Sequence, residues 1–248
     1  MKIDYDEVAR DYDTHRSGDI ETVRLITERC CVRARSRVLD GGCGTGNYAL
    51  LLNRLTGAAT VGLDRSAGML EKARAKQPLF RWVQGDLRAM PFRSRSFDLV
   101  YCLYVLHHVS DDLDAFCEEM CRVLDRGNLL LISTPRYQIE KHPLNQFFPS
   151  FGQIDLQRFP TDDDVVRAMT GAGFANVKIT ETVAPEPLVL DRDYYERVAA
   201  KWISTLRLIP ESEFRDGLTA MREVLAGDEP FIARDYRFKR AIFTGSKE

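Results

Sequence analysis

The string Asp40-Gly41-Gly42-Cys43-Gly44-Thr45-Gly46 constrains what this chain can fold into more than any other stretch of it. It continues Arg37-Val38-Leu39-Asp40, which reads as a strand, and precedes residues 48–55, which read as a helix. Strand, glycine turn and helix in that order make a cradle for a nucleoside cofactor. Glycines turn with positive φ and let the backbone come close to a ligand. The helix N-terminus presents free N–H groups and the positive end of its dipole. An acidic residue closing the next strand can accept hydrogen bonds from ribose hydroxyls, and Asp64 closes Thr60-Val61-Gly62-Leu63-Asp64.

The rest of the chain alternates strand and helix, which argues for a parallel sheet with helices on both faces. A helix is expected through residues 69–76, then strands at 80–83 and 97–102, a helix at 112–124 and a strand at 128–133. That last strand, Asn128-Leu129-Leu130-Leu131-Ile132-Ser133, is apolar without alternation, as a strand covered on both faces should be. Thr161 is a good N-cap for a helix through Met169, and Gly171 and Gly173 suit its end. Residues 176–183 give a sixth strand and 236–244 the last. Two stretches break the alternation. Residues 135–160 hold Phe147, Phe148, Phe151 and Phe159; residues 185–230 carry helical patterns at 194–208 and 213–225. Both are too aromatic for disordered linkers, and they are expected to form a helical cap near the C-terminal edge of the sheet, where open α/β folds bind ligands.

Charge and cysteine usage narrow the class. The formal net charge of -2 lacks the footprint of a general nucleic-acid binder. The acidic start Met1-Lys2-Ile3-Asp4-Tyr5-Asp6-Glu7 is no secretory signal, and no apolar run approaches the ~18 residues of a membrane span. A soluble, cytoplasmic protein without membrane partners is expected. The six cysteines (Cys30, Cys31, Cys43, Cys102, Cys117, Cys121) include no CxxC pair, so neither a disulfide framework nor a metal site is expected. Cys117 and Cys121, four apart on a helix, read as small buried hydrophobes.

The glycine pattern alone leaves the cofactor open. Gly44-Thr45-Gly46-Asn47-Tyr48-Ala49 also satisfies the GxGxxA of a dinucleotide site, with Asp64 about 20 residues further on. Three features favour S-adenosylmethionine over NAD. Asp40-x-Gly42-x-Gly44-x-Gly46 resembles motif I of the class I S-adenosylmethionine-dependent methyltransferases. Gln84-Gly85-Asp86-Leu87, followed by Ala89-Met90-Pro91-Phe92, resembles the family segment whose Asp meets the adenine amino group. Ser96-Phe97-Asp98-Leu99-Val100-Tyr101-Cys102, leading into Val105-Leu106-His107-His108-Val109, resembles the fourth-strand signature of the ubiquinone and menaquinone biosynthesis type. Residues 5–13 resemble the group's N-terminal helix that closes over the cofactor. Arg122-Val123-Leu124-Asp125-Arg126-Gly127-Asn128 stands where the family has R-V-L-K-P-G-G; Arg126 and Asn128 replace its Pro and second Gly, a departure that bears on turn geometry rather than on cofactor binding. Together these motifs cover roughly residues 5–134.

The resemblance implies a Rossmann-like, seven-stranded, mostly parallel sheet with an antiparallel last strand and a helical cap inserted before it. It implies one methyltransferase domain over residues 1–248, with cofactor-covering helices in 1–30 and substrate-cap insertions at 135–160 and 185–230. It implies methyl transfer from S-adenosylmethionine, leaving S-adenosylhomocysteine. Asp40 would support the loop and the methionine ammonium. Gly41, Gly42, Gly44 and Gly46 would supply close backbone approach, and Asp64 the ribose contacts. Arg65 and Met69 would flank the adenine, with Gly85, Asp86 and Leu87 facing it. Cys102 or Leu103 would lie near the methionine part, with Cys102 and Cys43 read as packing rather than reactive. Tyr12 and Arg16 would close the pocket, Tyr12 bonding the carboxylate or covering the sulfonium, where a cation on an aromatic face gains about 0.5–2 kcal/mol; otherwise the segment is a packing helix. His107 and His108 are candidates for acid–base work because imidazole titrates near neutrality. Such pairs recur across the family with different substrates, which favours a structural or cofactor-adjacent role. A small-molecule acceptor is expected from the aromatic cap. A protein or RNA methyltransferase, an NAD-dependent oxidoreductase and a non-catalytic S-adenosylmethionine-binding protein stay open.

Overall fold

The computed structural model describes residues 3–226 and 231–248. Residues 1–2 of the expected 1–30 segment and 227–230 of the 185–230 insertion lie outside the described residues. Two short helices, α1 (Tyr5–Val8) and α2 (Tyr12–His15), precede α3 (Ile20–Arg29). β1 (Arg37–Gly41) enters the glycine loop and α4 (Asn47–Thr56) leaves it. The alternation continues through β2 (Ala59–Asp64), α5 (Ala67–Lys76), β3 (Arg81–Gln84), β4 (Phe97–Leu103), α6 (Leu106–Val109), α7 (Leu113–Val123) and β5 (Leu124–Ser133). There follow α8 (Arg136–Glu140), α9 (Pro149–Arg158), α10 (Asp162–Gly171), β6 (Ala175–Val183), β7 (Leu188–Leu190), α11 (Arg192–Ala199), α12 (Glu211–Val224), β8 (Phe231–Ala233) and β9 (Lys239–Lys247).

The chain divides into two compact units. One comprises Asp4–Ser133, Thr161–Thr180 and Ile242–Glu248, and holds most of the sheet. Strand order is β3-β2-β1-β4-β5-β9-β6, with β3, β2, β1, β4 and β5 parallel to one another and the last strand antiparallel. Both faces of the central strands are buried. Val38, Leu99, Tyr101, Leu130 and Ile132 pack under Val23, Ile26 and Leu52 of α3 and α4. Their chain neighbours Leu39, Val100, Cys102, Leu129 and Leu131 point the other way and are equally buried, because successive strand side chains alternate between faces. A second small core joins Ala49, Leu70, Ala73 and Trp82. Thr161 caps α10 in a reciprocal capping box with Asp164, as its sequence position predicts.

Three boundaries differ from the sequence reading. β5 starts at Leu124, directly from α7, instead of at residue 128 after a turn. A register irregularity between Phe97 and Leu99 absorbs the extra length, and Gly127 packs so tightly on the Asp98 carbonyl that a Cβ would not fit. The helix expected over 194–208 stops at Ala199. Lys201 adopts φ 53°, the Trp202 N–H reaches back to the Arg197 carbonyl, and Ser204–Arg207 forms a separate 3-10 turn. The last strand begins at Lys239 instead of 236, since the Tyr236 N–H and carbonyl serve the connection to Ala233 and Leu188.

The other unit comprises Thr134–Pro160 and Glu181–Ala241. Its core gathers Leu144, Phe148, Phe151, Leu190, Tyr194, Leu206, Phe214 and Met221. Phe148 and Phe214 stack at 5.6 Å, and Gly217 lets α12 lie against the Phe148 ring and the Phe147 carbonyl. Polar ties lock its short helices: Arg136 donates to the Leu156 and Phe159 carbonyls, and the Ser150 N–H and hydroxyl donate to Glu213. β7 and β8 pair as an antiparallel ribbon, an element that the sequence reading did not anticipate.

Candidate functional site

The glycine loop is shaped by what lies beneath it. Gly41 sits between the Cys102 Sγ and Leu87, and Gly42 against Val105, so a Cβ at either position would collide. Gly42, Gly44 and Gly46 have φ of 76°, 54° and 81°, the left-handed region that favours glycine. The Gly42 and Cys43 N–H groups donate to the Leu63 carbonyl at 2.7 and 3.0 Å, pinning the loop to the end of β2. Trp82 packs under Gly46 and Gly62, with the Cys43 sulfur beside Gly62. Burial pushes the Cys43 and Cys102 thiols well above their ordinary range, which suits packing and not nucleophilic chemistry.

Two carboxyls flank the loop. Asp64 accepts the Gly44 N–H at 2.8 Å through Oδ2 and the Ser66 N–H at 2.9 Å through Oδ1. Burial still outweighs these bonds and raises its pKa. Asp40 is 2% exposed. Burial, with the Asp64 charge added, pushes its carboxyl up to about 7 although the Tyr101 hydroxyl and the Ala49 N–H lie nearby. Neither Asp40 Oδ2 nor the Tyr101 hydroxyl completes a hydrogen bond of standard geometry among the described residues. The floor of the cradle therefore holds an acid whose charge the protein alone does not compensate, and a cationic ligand group would do so.

The remaining predicted residues differ in what they meet. Tyr12 lies over Gly44, its ring 3.8 Å from where a Cβ would stand, with Arg16 over the Tyr12 ring at 5.2 Å and on its hydroxyl at 3.4 Å. Gly85 donates to the Asp64 carbonyl, and Leu87 packs on Gly41, so both join the cradle. Leu103, partly buried, packs on the apolar core of the central strands. Met69 is 2% exposed and anchors α5 in the core, whereas Arg65 is exposed. Asp86 is paired with Arg88 at 2.9 and 3.0 Å, and Arg88 reaches on to Asp111. The Arg88 guanidinium holds the Asp86 carboxyl below the ordinary range. His108 is exposed, with Nε2 at 2.8 Å from the Tyr5 hydroxyl, and the His107 ring lies 3.9 Å from it. His108 thus ties α6 to α1. Between β4 and α6 the chain turns through Tyr104 at φ 56°, a conformation unusual for an aromatic residue.

The polar clamp that seats the N-terminal segment was missed by sequence reasoning. Asp13 accepts from Thr45 Oγ1 at 2.6 Å and Asn47 Nδ2 at 3.0 Å, and pairs with Lys76 Nζ at 2.7 Å. Lys76 also donates to the Thr45 carbonyl and Asn47 Oδ1. Burial opposes the Asp13 charge, but the hydrogen bonds from Lys76, Thr45 and Asn47 prevail and lower its pKa. Asp6 similarly accepts from the Ser66 hydroxyl at 2.5 Å and the Gly68 N–H at 2.9 Å at the start of α5. Helical Asp residues in an acidic segment give no local sign of partners 32 to 63 residues away.

Comparison with known proteins gives this geometry a family. Residues 39–132 match the family model described as a methyltransferase domain. The chain is 32% identical over 183 residues to the malonyl-[acyl-carrier protein] O-methyltransferase of Herminiimonas arsenicoxydans, covering 72% of this chain and 67% of that protein. It is 30% identical over 173 residues to the demethylmenaquinone methyltransferase of Staphylococcus aureus, covering 60% of this chain and 71% of the relative. In fold it is similar to a candidate methyltransferase from an antibiotic biosynthesis pathway of Anabaena variabilis, with TM-score 0.75 and 21% identity over 93% of this chain and 98% of the other. The cradle of close-packed glycines, the buried acid beneath it and these relatives agree: the chain belongs to the class I S-adenosylmethionine-dependent methyltransferases.

Proposed function

We propose that this methyltransferase acts on a small molecule, which the unit formed by Thr134–Pro160 and Glu181–Ala241 selects. One observation carries the reading: the insertion has a separate aromatic-rich core of Phe148, Phe151, Tyr194 and Phe214, and the chain's net charge of -2 offers no general field for a polyanion. The Herminiimonas relative is named for malonyl on an acyl-carrier protein and the Staphylococcus relative for demethylmenaquinone.

S-adenosylmethionine supplies an electrophilic methyl group on a sulfonium. In this reading Gly41, Gly42, Gly44 and Gly46 give the cofactor backbone contact, Asp64 accepts from its ribose, and Asp40 offsets its ammonium. Asp86 and Leu87 face the adenine, flanked by Arg65 and Met69. Tyr12 and Arg16 close over it, held by the Asp13–Lys76 clamp. Cys102 and Leu103 border the methionine end. Displacement at the methyl is accelerated by holding donor and acceptor in line; an oxygen or nitrogen acceptor must also give up a proton, for which His107 and His108 are the candidate acceptors, and His108 also positions α6 against α1.

The test is transfer of labelled methyl from S-adenosylmethionine into a cell extract. The expected outcome is label in extractable metabolites; label in macromolecules alone overturns the small-molecule reading.

A further inference from the structure

His142 and Tyr236 meet edge-on in the aromatic unit, where the Tyr236 hydroxyl is buried without a partner among the described residues. His142 caps the 3-10 turn Pro143–Gln146, its Nδ1 accepting the Leu144 N–H at 3.2 Å. Burial lowers its pKa to about 4, so the ring is neutral near pH 7. A neutral imidazole has one N–H. With Nδ1 accepting, that N–H is on Nε2 of a half-buried residue. The ring sits between Phe151 and Tyr236, each at 5.2 Å, the Tyr236 contact edge-on.

Tyr236 is 4% exposed, yet its buried hydroxyl has no hydrogen-bond partner among the described residues. Tyr194, 3% exposed, is near enough to oppose formation of its phenolate, and itself packs edge-on against Trp202 at 6.4 Å. A buried hydroxyl without a partner forfeits the hydrogen bonds it makes to water in the unfolded chain. Phenylalanine would fill the same space without that loss. Folding therefore gives no reason for a tyrosine here, whereas a ligand oxygen would.

We propose that His142 and Tyr236, with Tyr194 beside them, form the subsite that recognises an oxygen atom of the methyl acceptor, and that the acceptor is an aromatic molecule carrying a hydroxyl or carbonyl group. The donors are uncharged and the surrounding rings are flat, which matches a planar ligand with a polar edge. The proposal rests on the small-molecule reading above and specifies its chemistry.

The test uses 2-naphthol as probe and naphthalene as its oxygen-free control, titrated into the full chain loaded with S-adenosylhomocysteine. Wild type should bind 2-naphthol about tenfold more tightly than naphthalene, the worth of one such hydrogen bond. Tyr236→Phe should abolish that preference while binding S-adenosylhomocysteine as wild type does. Its ligand-free melting temperature should be unchanged or higher, because a structural hydroxyl would lower it on removal. Equal preference in wild type and variant, or no 2-naphthol binding by wild type, overturns the subsite. Label appearing in metabolites together with either result leaves the small-molecule reading standing and removes only the subsite.

Discussion

Replacing Asp40 with asparagine removes an ionisation that the fold opposes. An ordinary aspartate titrates near 3.8, while burial and the neighbouring Asp64 raise Asp40 to about 7. The folded protein therefore holds the Asp40 proton between pH 4 and 7, where the unfolded chain has released it. Proton binding favours the folded state, so stability falls as pH rises through that window. Below pH 4 Asp40 costs nothing, and above pH 7 the full cost applies. A shift of about three units corresponds to about 4 kcal/mol, of which about 3 kcal/mol accumulates between pH 5 and 8. Asparagine has nearly the same shape, does not ionise, and its amide can donate to the Tyr101 hydroxyl. Asp40→Asn should thus melt higher than wild type at pH 8, by about 8 °C for a chain of this size, with the gap closing toward pH 5. Thermal unfolding followed by circular dichroism across this range measures it. A difference that is constant with pH, or a variant less stable at both ends, refutes the claim that Asp40 is an uncompensated buried acid. The same variant should bind S-adenosylmethionine more weakly, because the cationic partner loses its counter-charge.

Three further outcomes follow from the site. Asp64→Ala should weaken S-adenosylhomocysteine binding by about tenfold or more in calorimetry, through the lost ribose acceptor and the unlatched Gly44 N–H; unchanged affinity removes Asp64 from that role. Gly46→Ala should destabilise the protein by about 2 kcal/mol or more, since its φ of 81° and the Trp82 ring beneath leave no place for a methyl group; denaturant melts with an unshifted midpoint would contradict this. Lys76→Ala should cost about 1 kcal/mol at this half-exposed clamp and speed proteolysis within residues 4–18, and a wild-type cleavage rate there counts against the clamp.

How much could be read beforehand depended on the range of the forces involved. The first five strands were legible within a few residues because parallel strands covered on both faces are apolar runs, and the sheet buries Val38 and Leu39 alike. The β7–β8 ribbon was missed because three-residue strands carry no period to detect. The break after Ala199 was missed because Lys201, like any non-glycine residue at positive φ, gives no sign of its conformation in composition.

The sequence by itself determined the cofactor cradle. Glycines spaced at 42, 44 and 46, an acid at 40 and another at 64 encode a turn whose conformation is local, and local conformation follows from residue type. Only the tertiary structure decided what surrounds that cradle. Asp13 finds Lys76 and Arg88 finds Asp111 because folding brings together charges whose spacing along the chain follows no rule. Tyr101 looks like any other apolar strand residue until β4 lies beside β1 and places it next to Asp40. The incompleteness of the Tyr236 hydroxyl is likewise a property of the packed unit, since a side chain lacks a partner only once its surroundings have replaced water.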